Sequence, residues 1–164
     1  MASSILARLG IELFATTDEF TNGLKKSQVT VESFASGVAT AAKAIKPGIK
    51  IVGVEPIGAP TLYESMKAGE LVTLDKIETL SGSLAPRRSM PINLELIAAY
   101  VDRMVLVSDD EMREAAKWLW FETSVAAELA GAASLAALMT GRHKAEAGET
   151  VVAVICGAGA DGIG

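Results

Sequence analysis

Two short stretches of this sequence set reactive side chains beside glycine. Glu55 lies in Gly53-Val54-Glu55-Pro56-Ile57-Gly58-Ala59-Pro60, and Cys156 heads Cys156-Gly157-Ala158-Gly159-Ala160-Asp161-Gly162. Each follows a β-branched run, and strand ends that open into glycine loops are where α/β sheets build ligand sites. Pro56 prevents the chain from continuing in a ladder, which leaves the Glu55 carboxylate at the strand's carboxyl end. A carboxylate there can ligate a hard cation such as Mg or Ca if backbone carbonyls and a second carboxylate converge on it. Glu128, ahead of an Ala- and Leu-rich segment with no polar partner near it in sequence, is the second carboxylate. The competing reading is a pair of acids that cap helices or brace loops.

The Cys156 thiol faces either the core or the floor of a cofactor pocket. It has no general base to make it a nucleophile, because the sole histidine, His143, sits in the polar Arg142-His143-Lys144 segment. A weakly polar, buried thiol is the simpler expectation, and no catalytic residue is assigned. Gly157-Ala158-Gly159 permits close backbone approach to a ligand, or simply a tight turn. Arg87-Arg88 offers either an anion site or a solvated basic loop. Trp118 and Trp120 are two apart on a helix and cannot share a face. One therefore belongs to the core and the other to a surface covered by a neighbouring domain or subunit.

The elements that must carry these residues alternate between strand and helix. A weakly patterned start has Ile5, Leu6, Leu9 and Leu13 on one side of a short helix. The spacing predicts a small-residue helix over 35–45, with Val38, Ala42 and Ile45 on one stripe, closed by Pro47-Gly48. A buried parallel strand over 49–54 and a short helix over 61–67 ending at Gly69 come next. Residues 81–89 read as irregular, 92–100 as helix and 104–107 as strand. Ser108 with Glu111 is a capping-box pattern opening a helix to about Phe121. Another helix runs from Glu128 or Leu129 to Met139, and 151–155 supplies the last strand. This order predicts an α/β fold, a three-layer sandwich on a mostly parallel sheet with right-handed crossovers.

The chain of 164 residues fits one domain, and its apolar half is mainly aliphatic with only 5% aromatic residues. A formal net charge of −5 argues against nucleic-acid or anionic-membrane partners. A single cysteine excludes an internal disulfide and fits a reducing compartment, and no apolar run has membrane-spanning length. The expectation is a cytoplasmic protein whose apolar surface is covered in a homodimer or by another partner.

From about Ala35 to Gly162 the chain resembles the pyridoxal-phosphate enzymes of the threonine and serine dehydratase family, with the tryptophan-synthase-β (fold type II) architecture. The resemblance rests on Gly37-Val38-Ala39-Thr40-Ala41, on Val54-Glu55-Pro56-Ile57-Gly58-Ala59-Pro60 with Tyr63-Glu64-Ser65, and on Val105-Leu106-Val107-Ser108-Asp109-Asp110-Glu111. Ala127-Glu128-Leu129-Ala130-Gly131-Ala132-Ala133 and Cys156-Gly157 complete the series. It implies that Cys156, with Gly157 and Ser83, borders the cofactor and that the thiol lies against its pyridine nitrogen. It also implies a divalent-cation site from Glu55, Glu128 and the carbonyl of Ala59.

Other positions depart from that pattern. The family's Schiff-base lysine lies in an upstream Ser-x-Lys-x-Arg-like context that Lys25 and Lys26 lack. The glycine loop that would hold the phosphate before the 35–45 helix reads Thr30-Val31-Glu32-Ser33-Phe34. Gly82-Ser83 replaces an Asp-Gly, and Leu129 replaces a proline. The division expected is a divergent segment over 1–34 and a partial, incomplete large domain over 35–164. The resemblance implies a remnant or fragment of a dehydratase (an ammonia-lyase), inactive and without bound cofactor on its own. A split enzyme completed by a partner carrying the missing half, and a non-catalytic, dimeric α/β domain, are the alternatives.

Overall fold

In the computed structural model the described residues are 31–161, with the side chains of 31–34 outside the description. The helix expected around Ile5 to Leu13, Lys25 and Lys26, and the Glu32 and Phe34 side chains lie outside the described residues. The elements run α1 (Val31–Ile45), β1 (Val52–Pro56), α2 (Thr61–Ala68), a 3-10 turn (Gly82–Leu84), α3 (Pro91–Tyr100), β2 (Arg103–Val107), α4 (Asp109–Thr123) and α5 (Leu129–Met139). The two strands pair in parallel, with Val52 opposite Arg103 and Pro56 opposite Val107.

Side chains alternate across a strand, so this small sheet has two faces to cover. Val52, Val54, Val105 and Val107 turn to one face, where Met112, Ala115, Ala116 and Leu119 of α4 and the alanines and leucines of α5 form the larger core. Ile51, Val101 and Met104 turn to the other, against Ala39 of α1, Leu62 of α2 and Ile97 of α3. The result is the expected layering of helices, parallel sheet and helices in an α/β fold.

Four details differ from the sequence reading, the first being that α1 begins at Val31, so residues 31–34, expected as a loop, are helical. On α1 the buried positions are Ser36 and Ala39, whereas Ile45 is 86% exposed. Ser36 donates to Asn93 Oδ1 across the α1–α3 contact (3.3 Å), and these small residues let the two helices approach, which turns Ile45 outward. β1 starts at Val52 rather than residue 49, because the Asp102 carboxylate takes the Ile51 amide at 2.7 Å before the ladder begins. Residues 151–155 are not a paired strand among the described residues. They run past α5, where Ser134 Oγ donates to the Val154 carbonyl at 2.9 Å. No described strand lies beside them to complete a ladder, and Val152 and Val154 stay 56% and 42% exposed.

Asp102 also pairs with Lys43 Nζ at 2.8 Å, tying the end of α1 to the entrance of both strands. The lysine bond first, then the Ile51 amide, hold this carboxyl below its usual pKa. Its contribution is therefore present above the ordinary aspartate pKa and is lost as the pH falls through the lowered one.

α4 opens with the expected capping box. Ser108 Oγ accepts from the Glu111 amide at 3.2 Å, and Glu111 Oε2 accepts from the Ser108 amide at 2.7 Å. The other Glu111 oxygen pairs with Arg142 (2.9 Å) just beyond α5, so the cap also joins the ends of two helices. Trp118 packs half-buried on the core and Trp120 is 42% exposed, as expected of two positions on different helix faces. Ser108→Ala should cost about 1 kcal/mol, seen as a lower urea midpoint at unchanged m-value; an unmoved midpoint would show that the cap carries no weight.

Candidate functional site

β1 ends at Pro56 and the chain turns through Ile57-Gly58-Ala59-Pro60 into α2. The turn is pinned on two sides. The Ile57 amide donates to the Val107 carbonyl (2.8 Å), and the Glu78 amide donates to the Gly58 carbonyl (2.8 Å). A Cβ at Gly58 would collide with the Glu78 backbone, so only glycine permits this approach. Glu55 is buried, 6% exposed, and accepts from the amides of Leu62 (2.9 Å) and Tyr63 (2.7 Å), one on each carboxylate oxygen. Those amides belong to the first turn of α2, whose preceding residue, Pro60, offers no side-chain cap. Glu55 therefore does what a capping residue does, with a full negative charge at the positive end of the helix dipole. Ala59 is fully buried and its carbonyl accepts from the Thr61 amide at 3.0 Å.

The second stretch folds onto the N-terminus of α5. The Glu128 amide donates to the Gly157 carbonyl and the Gly159 amide to the Ala126 carbonyl, both at 3.2 Å, around an antiparallel bridge of Ala127 with Ala158. Glu128 occupies the N-cap of α5, yet its side chain makes no cap hydrogen bond. It leans instead against Gly157, where a Cβ would strike its carboxylate. Behind it, a Cβ at Gly131 would stand 2.5 Å from the Gly157 carbonyl oxygen. Cys156, Gly157 and Glu128 thus form one unit. Partial burial first and the negative field of Glu128 second push the Cys156 thiol above its ordinary pKa. Cys156 is exposed rather than buried as expected, since the residues around it in the turn are themselves largely at the surface.

A loop from residue 70 to 90 closes over the strand ends. Asp109, first residue of α4, accepts from the Thr79 hydroxyl and from the Leu80 amide (2.7 Å). This clamp buries Ser81, whose hydroxyl has no hydrogen-bond partner among the described residues. Ser83 follows on the exposed 3-10 turn, while Leu84 of that turn packs on the larger core. Arg87 and Arg88 lie on an exposed basic loop, as one of the two readings expects, and bond within it. Arg87 donates to the carbonyls of Leu74 (3.0 Å) and Asp75 (2.9 Å), and Arg88 to the Leu71 carbonyl (3.0 Å) and Thr73 hydroxyl (2.7 Å). They tie the loop together through its backbone.

Sequence reasoning missed Asp161 and Asp109 as loop clamps and Ser81 as a buried hydroxyl. Asp161 and Asp109 act on residues about thirty positions away, which no local spacing encodes.

A parallel α/β fold with glycine turns gathered at its strand ends defines the general class. Residues 6–157 match the family model described as "Pyridoxal-phosphate dependent enzyme". The chain belongs to that family, in its threonine and serine dehydratase-like branch with the tryptophan-synthase-β fold. It is 36% identical over 126 residues to phenylserine dehydratase of Ralstonia pickettii, covering 77% of this chain and 39% of that protein. It is likewise 36% identical over 126 residues to a biosynthetic L-threonine dehydratase of Bacillus subtilis, covering 77% of this chain and 30% of the relative. The processed form of threonine deaminase isoform 2 from Solanum lycopersicum superposes with a TM-score of 0.72 at 30% identity, over 80% of this chain and 38% of that one. The chain thus spans well under half the length of these relatives.

Of the residues expected beside a cofactor, Cys156 and Gly157 lie together on the turn against Glu128, while Ser83 lies on the exposed 3-10 turn; residues 30–34 include no glycine, and 31–34 are part of α1. No group of three or more His, Cys, Asp or Glu among the described residues is placed to hold a metal ion. A cation at Glu55 would have to share oxygens that already accept from α2.

Two substitutions test this geometry. Glu128→Gln removes the field that raises the Cys156 pKa, so thiolate increases and iodoacetamide alkylation at about pH 8 should accelerate; an unchanged rate would place the carboxylate out of electrostatic reach. Glu55→Ala leaves two amides of α2 uncapped in the interior and should destabilise the fold by about 2 kcal/mol or more in urea denaturation.

Proposed function

We propose that this chain carries the ring-nitrogen side of a threonine/serine dehydratase-type site, with Cys156, Gly157 and Ser83 bordering pyridoxal phosphate, and that alone it releases no 2-oxo acid. The observation that carries the reading is the docking of the Cys156-Gly157 turn on Glu128, which holds the thiol beside the N-terminus of α5. When bound, the cofactor is the electron sink that stabilises negative charge at the substrate's α-carbon. The role of Cys156 is to stay neutral beside the ring nitrogen, so that the ring is not fully protonated and its electron withdrawal is moderated. Gly157 keeps that edge free of side chain.

Activity also requires a phosphate cradle and an anchoring lysine. Where a glycine cradle would be expected the sequence reads Thr30-Val31-Glu32-Ser33-Phe34, without glycine, and 31–34 belong to α1. Each charge-assisted hydrogen bond lost there is worth roughly 1.5–3 kcal/mol. Glu55, Glu128 and the Ala59 carbonyl remain the proposed set for a divalent cation.

A second reading has a partner chain contributing the rest of the site. It is favoured by the β-branched 151–155 run, which has exposed valines and no described strand beside it.

The test is to add pyridoxal phosphate with L-threonine or L-serine to the purified chain. The expected result is no 2-oxo acid and, after borohydride, no cofactor on any lysine. Turnover by the chain alone would overturn the proposal of inactivity, and turnover only with a co-purifying protein would establish the second reading.

A further inference from the structure

We infer that Asp161 is a positioning residue that latches the Cys156-Gly157 turn onto the N-terminus of α5 and so fixes where the Cys156 thiol stands. Its importance for a cofactor rests on the reading above; the latch itself does not.

The first amides of a helix need acceptors from outside it, and the residue at the N-cap normally provides one. In α5 it does not, since the Glu128 side chain is turned to Gly157. The acceptor comes from 32 residues downstream, where Asp161 Oδ1 takes the Leu129 amide at 3.3 Å. An aspartate is suited to this place because its charge faces the positive end of the helix dipole. The segment it closes is short and tightly fitted. A Cβ at Gly159 would lie 3.1 Å from Glu128 Cβ and 3.4 Å from Asp161 Oδ1, so the turn, the glutamate and the latch are in mutual contact.

Without the latch, the turn keeps only two backbone bonds to residues 126–128. Cys156, Ala158, Ala160 and Asp161 are all exposed, so little apolar burial holds them down. Local opening of such a segment is cheap. Opening would relieve the partial burial of Cys156 and carry it away from Glu128, the two causes of its raised pKa. The titration of the single cysteine therefore reports the position of the turn.

The experiment measures the pH dependence of Cys156 alkylation by iodoacetamide in the full chain, without cofactor, for Asp161→Ala and Asp161→Asn. Asp161→Ala should lower the midpoint toward the ordinary thiol value and speed alkylation roughly two- to threefold at about pH 8. Asp161→Asn retains the acceptor oxygen and should restore most of the original profile. In a Glu128→Gln background, Asp161→Ala should move the midpoint by less than it does in the wild type, because only the burial relieved by opening is left to lose. Gly131→Ala presses the same turn away from the helix side and should reproduce the shift. An unchanged profile for Asp161→Ala would overturn the latch. So would equal shifts for Asp161→Ala and Asp161→Asn that add to that of Glu128→Gln, since Asp161 would then act as a charge on the thiol. A latch that passes while cofactor addition to the wild type gives no complex would leave the latch standing and defeat the cofactor reading alone.

Discussion

The all-round burial of α5 is the constraint on which the rest depends. Nine of its eleven residues are buried, and most are alanine, glycine or leucine. A helix this apolar has no solvent face to orient it, so it must be enclosed from every side. α4 and the sheet supply two of the walls. The Cys156-Gly157 turn closes the N-terminal end, and it can come so near only because Gly131 has no side chain in its way. Gly131 thus admits the turn, and the backbone bonds to 126–128 with the Asp161 latch hold the thiol near Glu128.

The elements most legible in the sequence were those whose signals are local. The Ser108 and Glu111 capping box appears as read, as do Gly69 closing α2 in the left-handed conformation (φ 74°) and the parallel pairing of the two β-branched runs. The errors arose where a distant partner decides the outcome. The phase of α1 was set by Asn93, fifty-seven residues away, and not by its own apolar stripe. Arg87 and Arg88 lie on the exposed loop that one reading expects, but the backbone carbonyls they found are announced by no charge pattern. The 151–155 run has strand composition, but a strand is defined by its neighbour, and composition does not supply one.

The candidate site divides along the same line. Cys156, Gly157 and Glu128 were selected separately from sequence, and the fold joins them into one contact. Glu55 was selected as a ligand or a cap, and its two amide partners make it a cap in this structure. The two functions are not exclusive, since a carboxylate oxygen has a second lone pair. They do compete for the charge, because a cation drawing on Glu55 weakens its hold on the first turn of α2.

That competition bears on how family resemblance should be carried to single residues. The motif Val54-Glu55-Pro56-Ile57-Gly58-Ala59-Pro60 stands in a chain whose residues 30–34 include no glycine. Its presence has a sufficient physical cause inside the fold. Pro56 is paired with Val107 and the Ile57 amide still bonds to Val107, Gly58 admits the Glu78 backbone, and Glu55 caps a helix that has no other side-chain cap. Each residue would be needed to fold this sheet edge whether or not any ligand bound there. Cys156 is different in kind, because an exposed thiol with a raised pKa does nothing for the core. Cys156 and its neighbour Glu128 are therefore the residues whose placement the fold alone does not require.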